Sequence, residues 1–290
     1  MTSVPGDDRA APAARPSRSG IWDRVPVLNV HVHDIGMDEL LQALDTGGMV
    51  LTLHVDMLVK LQQDRDFYEA VAAFEIVTCD SQILYFALRL MGTPVRERVS
   101  GSDLFPRFCD RHRDDPDVTV FLCGGEPGVA ETAAERINAR VGRRIVVGTH
   151  APPFGFDSDP DPAALEATIA AINASRATVL VVGLGGGRQE KFLVRHRHRF
   201  THARVFLPLG GVIDYEAGVV KRPPPWVTNI GLEWLARVIQ QPRARWHRYF
   251  VQQPPALLLL LAQKRGRYRN PFARPGPGVD GGVNGGGGRG

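Results

Sequence analysis

Thr178-Val179-Leu180-Val181-Val182-Gly183-Leu184-Gly185-Gly186-Gly187 is the stretch whose reading decides the fold. Its first half is the most apolar β-branched run in the chain, suited to one strand and too short for a helix. A strand without polar alternation is buried on both faces, as in parallel sheets covered by helices. Its second half is a glycine cluster, followed from about Arg188 by a segment that reads as a helix. Strand, glycine turn and helix in that order place backbone N–H groups at a helix N-terminus, where they can receive a phosphate. A dinucleotide fingerprint starting at Gly183 needs glycine at position 188, which is Arg188. The strand from Val205 to Leu209 also lacks the acidic residue that would hold a ribose. A nucleoside diphosphate therefore fits better than NAD, and a tight turn with no ligand fits the glycines equally well.

Outward from this stretch the same alternation recurs. Strands are expected at Val25 to Val32, Met49 to His54, Glu75 to Cys79, Val118 to Cys123, Arg144 to Gly148 and Val205 to Leu209. Helices are expected at Val55 to Ala73 (one or two), from about Gln82 to Leu90, from a Ser102 cap to about Arg113, Glu126 to Val141 and Pro162 to Ala174. The pattern predicts an α/β fold, a mainly parallel sheet with helices on both faces. In such a sheet ligands bind beyond the carboxyl ends of the strands. Those ends carry Thr52 to His54, Cys79-Asp80-Ser81, Gly124-Gly125, Gly183 to Gly187, and Gly210-Gly211 with Asp214, so these are expected to converge on one rim.

Composition bounds the alternatives. The 290 residues are 43% hydrophobic and 23% charged, enough for a real core and too apolar for a disordered chain. No run approaches the roughly 18 apolar residues of a membrane span. The Pro/Ala/Ser/Arg-rich start (residues 1–22) has no apolar centre and argues against a secretory signal. Three cysteines without paired spacing predict a reducing compartment and no disulfides. Together these features predict a soluble cytoplasmic protein. The net charge of +4 conceals an asymmetry. Residues 1–220 carry 23 basic and 29 acidic side chains, whereas residues 221–274 carry eleven Lys/Arg against Glu233 alone. An acidic body (23–220) is thus expected to bear a basic C-terminal appendage (221–274) that needs an anionic partner. Residues 275–290 are a second low-complexity tail, rich in glycine.

Other constellations carry less. Asp80 at a strand end reads as a general base or as the cap of the next helix, and on this residue alone the cap is favoured. Asp157-Ser158-Asp159 has the D-x-D form of a metal–nucleotide motif, but its Pro-rich loop before a helix favours simple capping. His31 with His33, and His196 with His198, lack zinc spacing, and Cys79, Cys109 and Cys123 lie in apolar contexts. No metal site is expected. In the appendage, Arg237, Arg245 and Arg248 share roughly one helical face among Trp and Tyr, and Leu257 to Leu261 follow. Basic and aromatic side chains beside a short apolar run suit an anionic membrane interface. A nucleic-acid patch is the alternative, in which the Leu run would have no use.

Taken together, the segments resemble the WecG/TagA/CpsF family of bacterial glycosyltransferases from about Val27 to Tyr249. The resemblance rests on Thr52, Asp80, Arg98-Val-Ser-Gly101-Ser-Asp103-Leu104, Phe121-Leu-Cys-Gly124-Gly125, Gly183-Leu-Gly185-Gly-Gly-Arg188-Gln189-Glu190 and Gly211-Val-Ile-Asp214 with Gly218. Arg222-Pro223, Pro225-Trp226, Glu233-Trp234, Arg237, Pro242 and Arg248-Tyr249 complete it. It implies a Rossmann-like fold and an inverting, metal-independent transfer from a UDP-sugar to a polyprenyl-diphosphate-linked acceptor at the inner face of the cytoplasmic membrane. It implies Asp80 as the base, with Thr52 and Gln189 beside the anomeric carbon. His54, Arg98, Gly101, Asp103, Gly124, Gly125 and Glu190 fall in the matching substrate-binding segments. Gly183, Gly185, Gly187 and Asp214 would help hold UDP. Arg237, Arg245 and Arg248 would meet the diphosphate. The implied partners are donor, acceptor and membrane surface, with self-association compatible and no nucleic acid. A regulator that binds nucleotides or nucleic acid through the basic segment is the competing function. The chain departs from the family pattern at His54 (usually Asn), Ser81 (usually Gly), Gly186-Gly187-Arg188 (usually Ala-Pro-Lys) and Ala244 (often Arg). Beside the acceptor hydroxyl, His54 serves as a neutral hydrogen-bonding group or assists proton transfer.

Overall fold

The computed structural model describes residues 21–156, 162–221 and 253–273. Six parallel strands form the central sheet: β3 (Gly48–Leu53), β4 (Ile76–Cys79), β5 (Val120–Gly124), β6 (Val146–His150), β7 (Val179–Gly183) and β8 (Val205–Pro208). Their spatial order is β4-β3-β8-β7-β5-β6. The decisive stretch forms β7, between β5 and β8, with Val179 paired to Val120 on one side and Val205 on the other. Strand residues alternate between two cores. Leu51, Leu53, Phe121, Leu180, Val182 and Phe206 face one; Val50, Val120, Leu122, Val179, Val181 and Leu207 face the other. Two cores flanking one sheet explain why the strands are apolar at nearly every position, with Thr52, Thr78, Thr149 and His150 as the polar exceptions.

The first core is closed by α2 (Met57–Gln63), α3 (Arg65–Ala72), α4 (Gln82–Met91), α7 (Pro162–Ser175), α8 (Arg188–His196) and α10 (Gln253–Lys264). The second is closed by α1 (Met37–Leu44), α5 (Gly101–Arg111), α6 (Val129–Val141) and α9 (Gly210–Ala217). This is the α/β, Rossmann-like arrangement that the sequence predicts.

Several local expectations need correction. Val25 to Val32 is not one strand. It is an antiparallel hairpin, β1 (Arg24–Val27) and β2 (Val30–His33), reversed at Leu28, whose φ is +55°. The cap of α5 is Ser100, not Ser102, because the Asp103 N–H donates to Ser100 Oγ at 3.2 Å. Nor does Asp80 cap α4. Ser81 does, accepting from the Leu84 N–H at 3.3 Å, which leaves the Asp80 carboxylate for other work. The sequence reading contains neither α1 nor α9.

Lys221 and 253–273 are the described parts of the expected appendage. Ala256 and Leu260 of α10 are buried in the first core. The Gln263 side chain accepts from the Leu28 N–H at 2.8 Å and donates to Pro26 O at 3.0 Å. Tyr268 Oη donates to Gln62 Oε1 at 2.7 Å. Residues 1–20, the D-x-D at Asp157 and Asp159, Arg237, Arg245, Arg248 and the glycine-rich tail lie outside the described residues.

Candidate active site

A cavity of about 770 Å³ opens at the carboxyl ends of β3, β4, β5, β7 and β8. Its size suits a small-molecule substrate. Each strand delivers its wall in the same way, by ending in a residue that faces the sheet's rim. β3 supplies Thr52 and, just beyond, His54; β4 is followed by Asp80; β5 by Gly125; β7 by Gly183, Gly185 and Gly186; β8 by Pro208 to Gly211. Gly101 at the start of α5, Gln189 on α8 and Asp214 on α9 also line the cavity, whereas Cys79, Ser81, Gly124 and Gly187 of the expected rim do not.

Asp80 extends the β4 ladder by one residue, its N–H donating to Leu53 O at 3.1 Å. The residue is 7% exposed, and its carboxylate is approached from three places. Oδ2 accepts the Gly101 N–H at 3.1 Å and lies 3.0 Å from His54 Nε2. The Arg98 guanidinium is 3.8 Å from Oδ1 and donates to the Asp80 carbonyl at 3.0 Å. Burial alone would raise the carboxyl. The charge that His54 carries when protonated and its hydrogen bond, the Gly101 N–H and the charge of Arg98 outweigh it, holding Asp80 well below the usual carboxylate range. Asp80 is therefore an ionised, fixed carboxylate aimed into a cavity.

Gln189 is 4% exposed, and its amide is oriented by two acceptors. Nε2 donates to Glu190 Oε1 at 2.9 Å and to Pro208 O at 3.0 Å. Its Oε1 has no hydrogen-bond partner among the described residues. A buried acceptor without a partner carries a desolvation cost, which a small shift of the wall beside Gly210 would let a substrate hydroxyl or amide N–H relieve.

Other predicted residues stand behind the wall. Arg98 bridges Asp80 to Asp103, whose Oδ2 is 3.5 Å from Nη2. Glu190 is fully buried and holds the glycine loop, accepting the Gly187 N–H at 2.6 Å; desolvation raises its pKa against that bond and the Gln189 amide. Gly124 has φ +119°, and a Cβ there would run into the Gly183 carbonyl, so glycine is what lets β5 and β7 close up at the rim.

The sequence reading missed Lys60. It projects from α2 into the cavity wall, and its Nζ donates to Gly186 O at 3.1 Å, across 126 positions of sequence. Spacing carries no signal for such a pair. Asp56, Asp64 and Ser102 were likewise absent from the predicted wall. All three cysteines are buried, and desolvation pushes Cys79 and Cys123 up to about 12, which makes them inert packing groups. The described residues contain no cluster of three metal-ligating side chains.

Fold and site together define an α/β enzyme whose polar cavity combines a fixed carboxylate, a glycine loop and a lysine. A sequence model described as the Glycosyl transferase WecG/TagA/CpsF family matches residues 25–270. The chain belongs to this family, and it is a glycosyltransferase. Two relatives carry the name N-acetylglucosaminyldiphosphoundecaprenol N-acetyl-beta-D-mannosaminyltransferase. The one from Bacillus subtilis (strain 168) is 27% identical over 220 residues, 75% of this chain and 81% of its own length. The one from Bacillus spizizenii (strain ATCC 23059 / NRRL B-14472 / W23) is 28% identical over 202 residues, 70% of this chain and 74% of its own.

Proposed function

We propose that the protein moves a sugar from a UDP-sugar to a polyprenyl-diphosphate-linked acceptor, inverting the anomeric carbon without a metal ion. The observation that carries this reading is the buried Asp80 carboxylate in the same cavity wall as the glycine loop and Lys60. The acceptor hydroxyl attacks the anomeric carbon, the bond to UDP breaks with its electron pair leaving on the diphosphate, and the proton passes to Asp80. Lys60 and the backbone at Gly185 and Gly186, which line the cavity, meet the departing charge, whereas the Gly187 N–H is held by Glu190. Arg237, Arg245 and Arg248 are proposed to add to it. Thr52 and Gln189 position the sugar.

The relatives' names support the acceptor class, because they specify a diphosphoundecaprenol acceptor and a β-linked product. From an α-linked donor, a β product requires a single displacement, which needs one base. The same reading places the enzyme on the inner face of the cytoplasmic membrane in cell-surface polysaccharide synthesis. Phe86 and Leu90 on α4 and Leu257, Leu258 and Leu261 on α10 are exposed, beside exposed Arg89, Arg265 and Arg267. Lys264 Nζ ties the two helices, donating to Leu90 O at 2.6 Å. Exposed apolar side chains edged by arginine suit an anionic leaflet.

The test is UDP release with a panel of UDP-sugars, including the N-acetylmannosamine derivative, and a synthetic polyprenyl-diphosphate-linked N-acetylglucosamine. The expected result is release that requires the lipid acceptor and persists in EDTA. Release abolished by EDTA refutes the metal-free reading, and no turnover with any donor refutes the substrate class.

A further inference from the structure

The two oxygens of Asp80 are not equivalent. Among the described residues, Oδ2 carries the Gly101 N–H and the His54 contact, whereas Oδ1 has the Arg98 guanidinium, at 3.8 Å. Oδ1 is therefore the oxygen that accepts no hydrogen bond from the described residues. His54 lies one residue past β3, lines the cavity, and is 28% exposed by side chain against 9% for Asp80. Solvent protons thus reach the imidazole more readily than the carboxylate.

We propose that His54 is a positioning residue whose charge gates Asp80: the neutral imidazole, donating from Nε2 to Oδ2, supports transfer, and the imidazolium stops it. This rests on the reading of Asp80 as the base. A neutral donor at 3.0 Å fixes the carboxylate through Oδ2. A second proton on the ring sets a full positive charge at the same distance, which favours the ionised carboxylate and so weakens it as a proton acceptor. In the working state the hydroxyl proton ends on Oδ1, the new glycosidic bond forms as the bond to UDP breaks, and the imidazole exchanges no atom. The charged groups that share the cavity wall with the ring, among the described residues, are Asp56 on its own loop, Lys60 and Asp64 at α2, Asp80, and Asp214 on α9, with Arg98 behind Asp80. Lys60 and Arg98 oppose a charged imidazole and the carboxylates favour it, so the working midpoint is a property of the whole wall.

The experiment measures kcat and KM between about pH 5 and pH 9 for the wild type, His54→Asn, His54→Gln and Asp80→Asn. In parallel, NMR titrates the His54 ring in the 13C-histidine-labelled full chain. Wild-type kcat is expected to fall about tenfold per pH unit below a midpoint that coincides with the ring's own titration. His54→Asn, which keeps a donor to Oδ2, is expected to lose that acid limb while KM changes by no more than about twofold. An acid limb unchanged in His54→Asn overturns the proposal. So does a ring midpoint more than about one unit from the kinetic one, a comparison made on the wild-type protein alone. Asp80→Asn separates the two readings. Normal turnover there removes the base itself, whereas an inactive Asp80→Asn beside a His54→Asn with the wild-type limb removes only the gate.

Discussion

At the scale of single residues, the site is a set of side chains whose freedom has been removed in advance. Gln189 shows this well: two acceptors fix its amide nitrogen, and its buried oxygen has no partner among the described residues. Gln189→Ala is expected to weaken substrate binding by roughly threefold to tenfold, the worth of one hydrogen bond, read as a rise in KM. An unchanged KM and kcat would remove Gln189 from the site. Residues of this kind were legible in the sequence where they end a strand. Asp80, Thr52 and the glycines could be read from the run of apolar residues before them. Lys60 could not, because it reaches Gly186 only once α2 has packed beside the β7 loop. The choice between base and cap at Asp80 was also closed to sequence reasoning, since Ser81 next to it satisfies the same helix end.

At the scale of elements, the rim depends on close approach of strands and helices. The Gly124 backbone lies against the Gly183 carbonyl, and Gly183 in turn faces Ile213 and Gly210 of α9. Gly124→Ala is expected to cost about 1–3 kcal/mol in a denaturant melt, from positive-φ strain and the clash with that carbonyl. A variant as stable as the wild type would contradict the packing. On α2, Lys60→Ala is expected to weaken UDP binding several-fold in calorimetry without changing the melting temperature appreciably. Equal UDP affinity would exclude it from the diphosphate subsite. The sheet was readable because both faces of its inner strands are covered, which leaves no polar alternation to confuse them; the edge strand β6 is half-buried. The hairpin at Leu28 was missed because a positive φ at leucine is rare, although Asn29 is a common turn residue. α9 was missed because Gly210-Gly211 reads as a loop. α1 did carry a signal in Met37, Leu40, Leu41 and Leu44, spaced for one helical face.

At the scale of the whole molecule, an acidic body meets a basic C-terminal segment whose described end is docked on the first core through Ala256, Leu260 and Gln263. Leu258→Glu is expected to lower binding to anionic vesicles, measured by flotation, and binding equal to wild type would remove α10 from the membrane face. Stability as a function of pH is a further global property. Burial holds His33, His112 and His196 below the ordinary imidazole value. Each binds its proton more readily in the unfolded chain. Their contribution is therefore fully present above about pH 6.5 and is lost as the pH falls through the folded-state values. The melting temperature should decline from neutral pH towards pH 5, and His33→Gln should flatten that slope. A melting temperature that rises over this range would contradict the assignment. The central claim, that Asp80 takes the acceptor proton, is tested most directly by single-turnover transfer in Asp80→Asn, with UDP affinity measured on the same protein. The account predicts a rate lower by about 10²–10⁴-fold with UDP affinity retained. Transfer at the wild-type rate would contradict it.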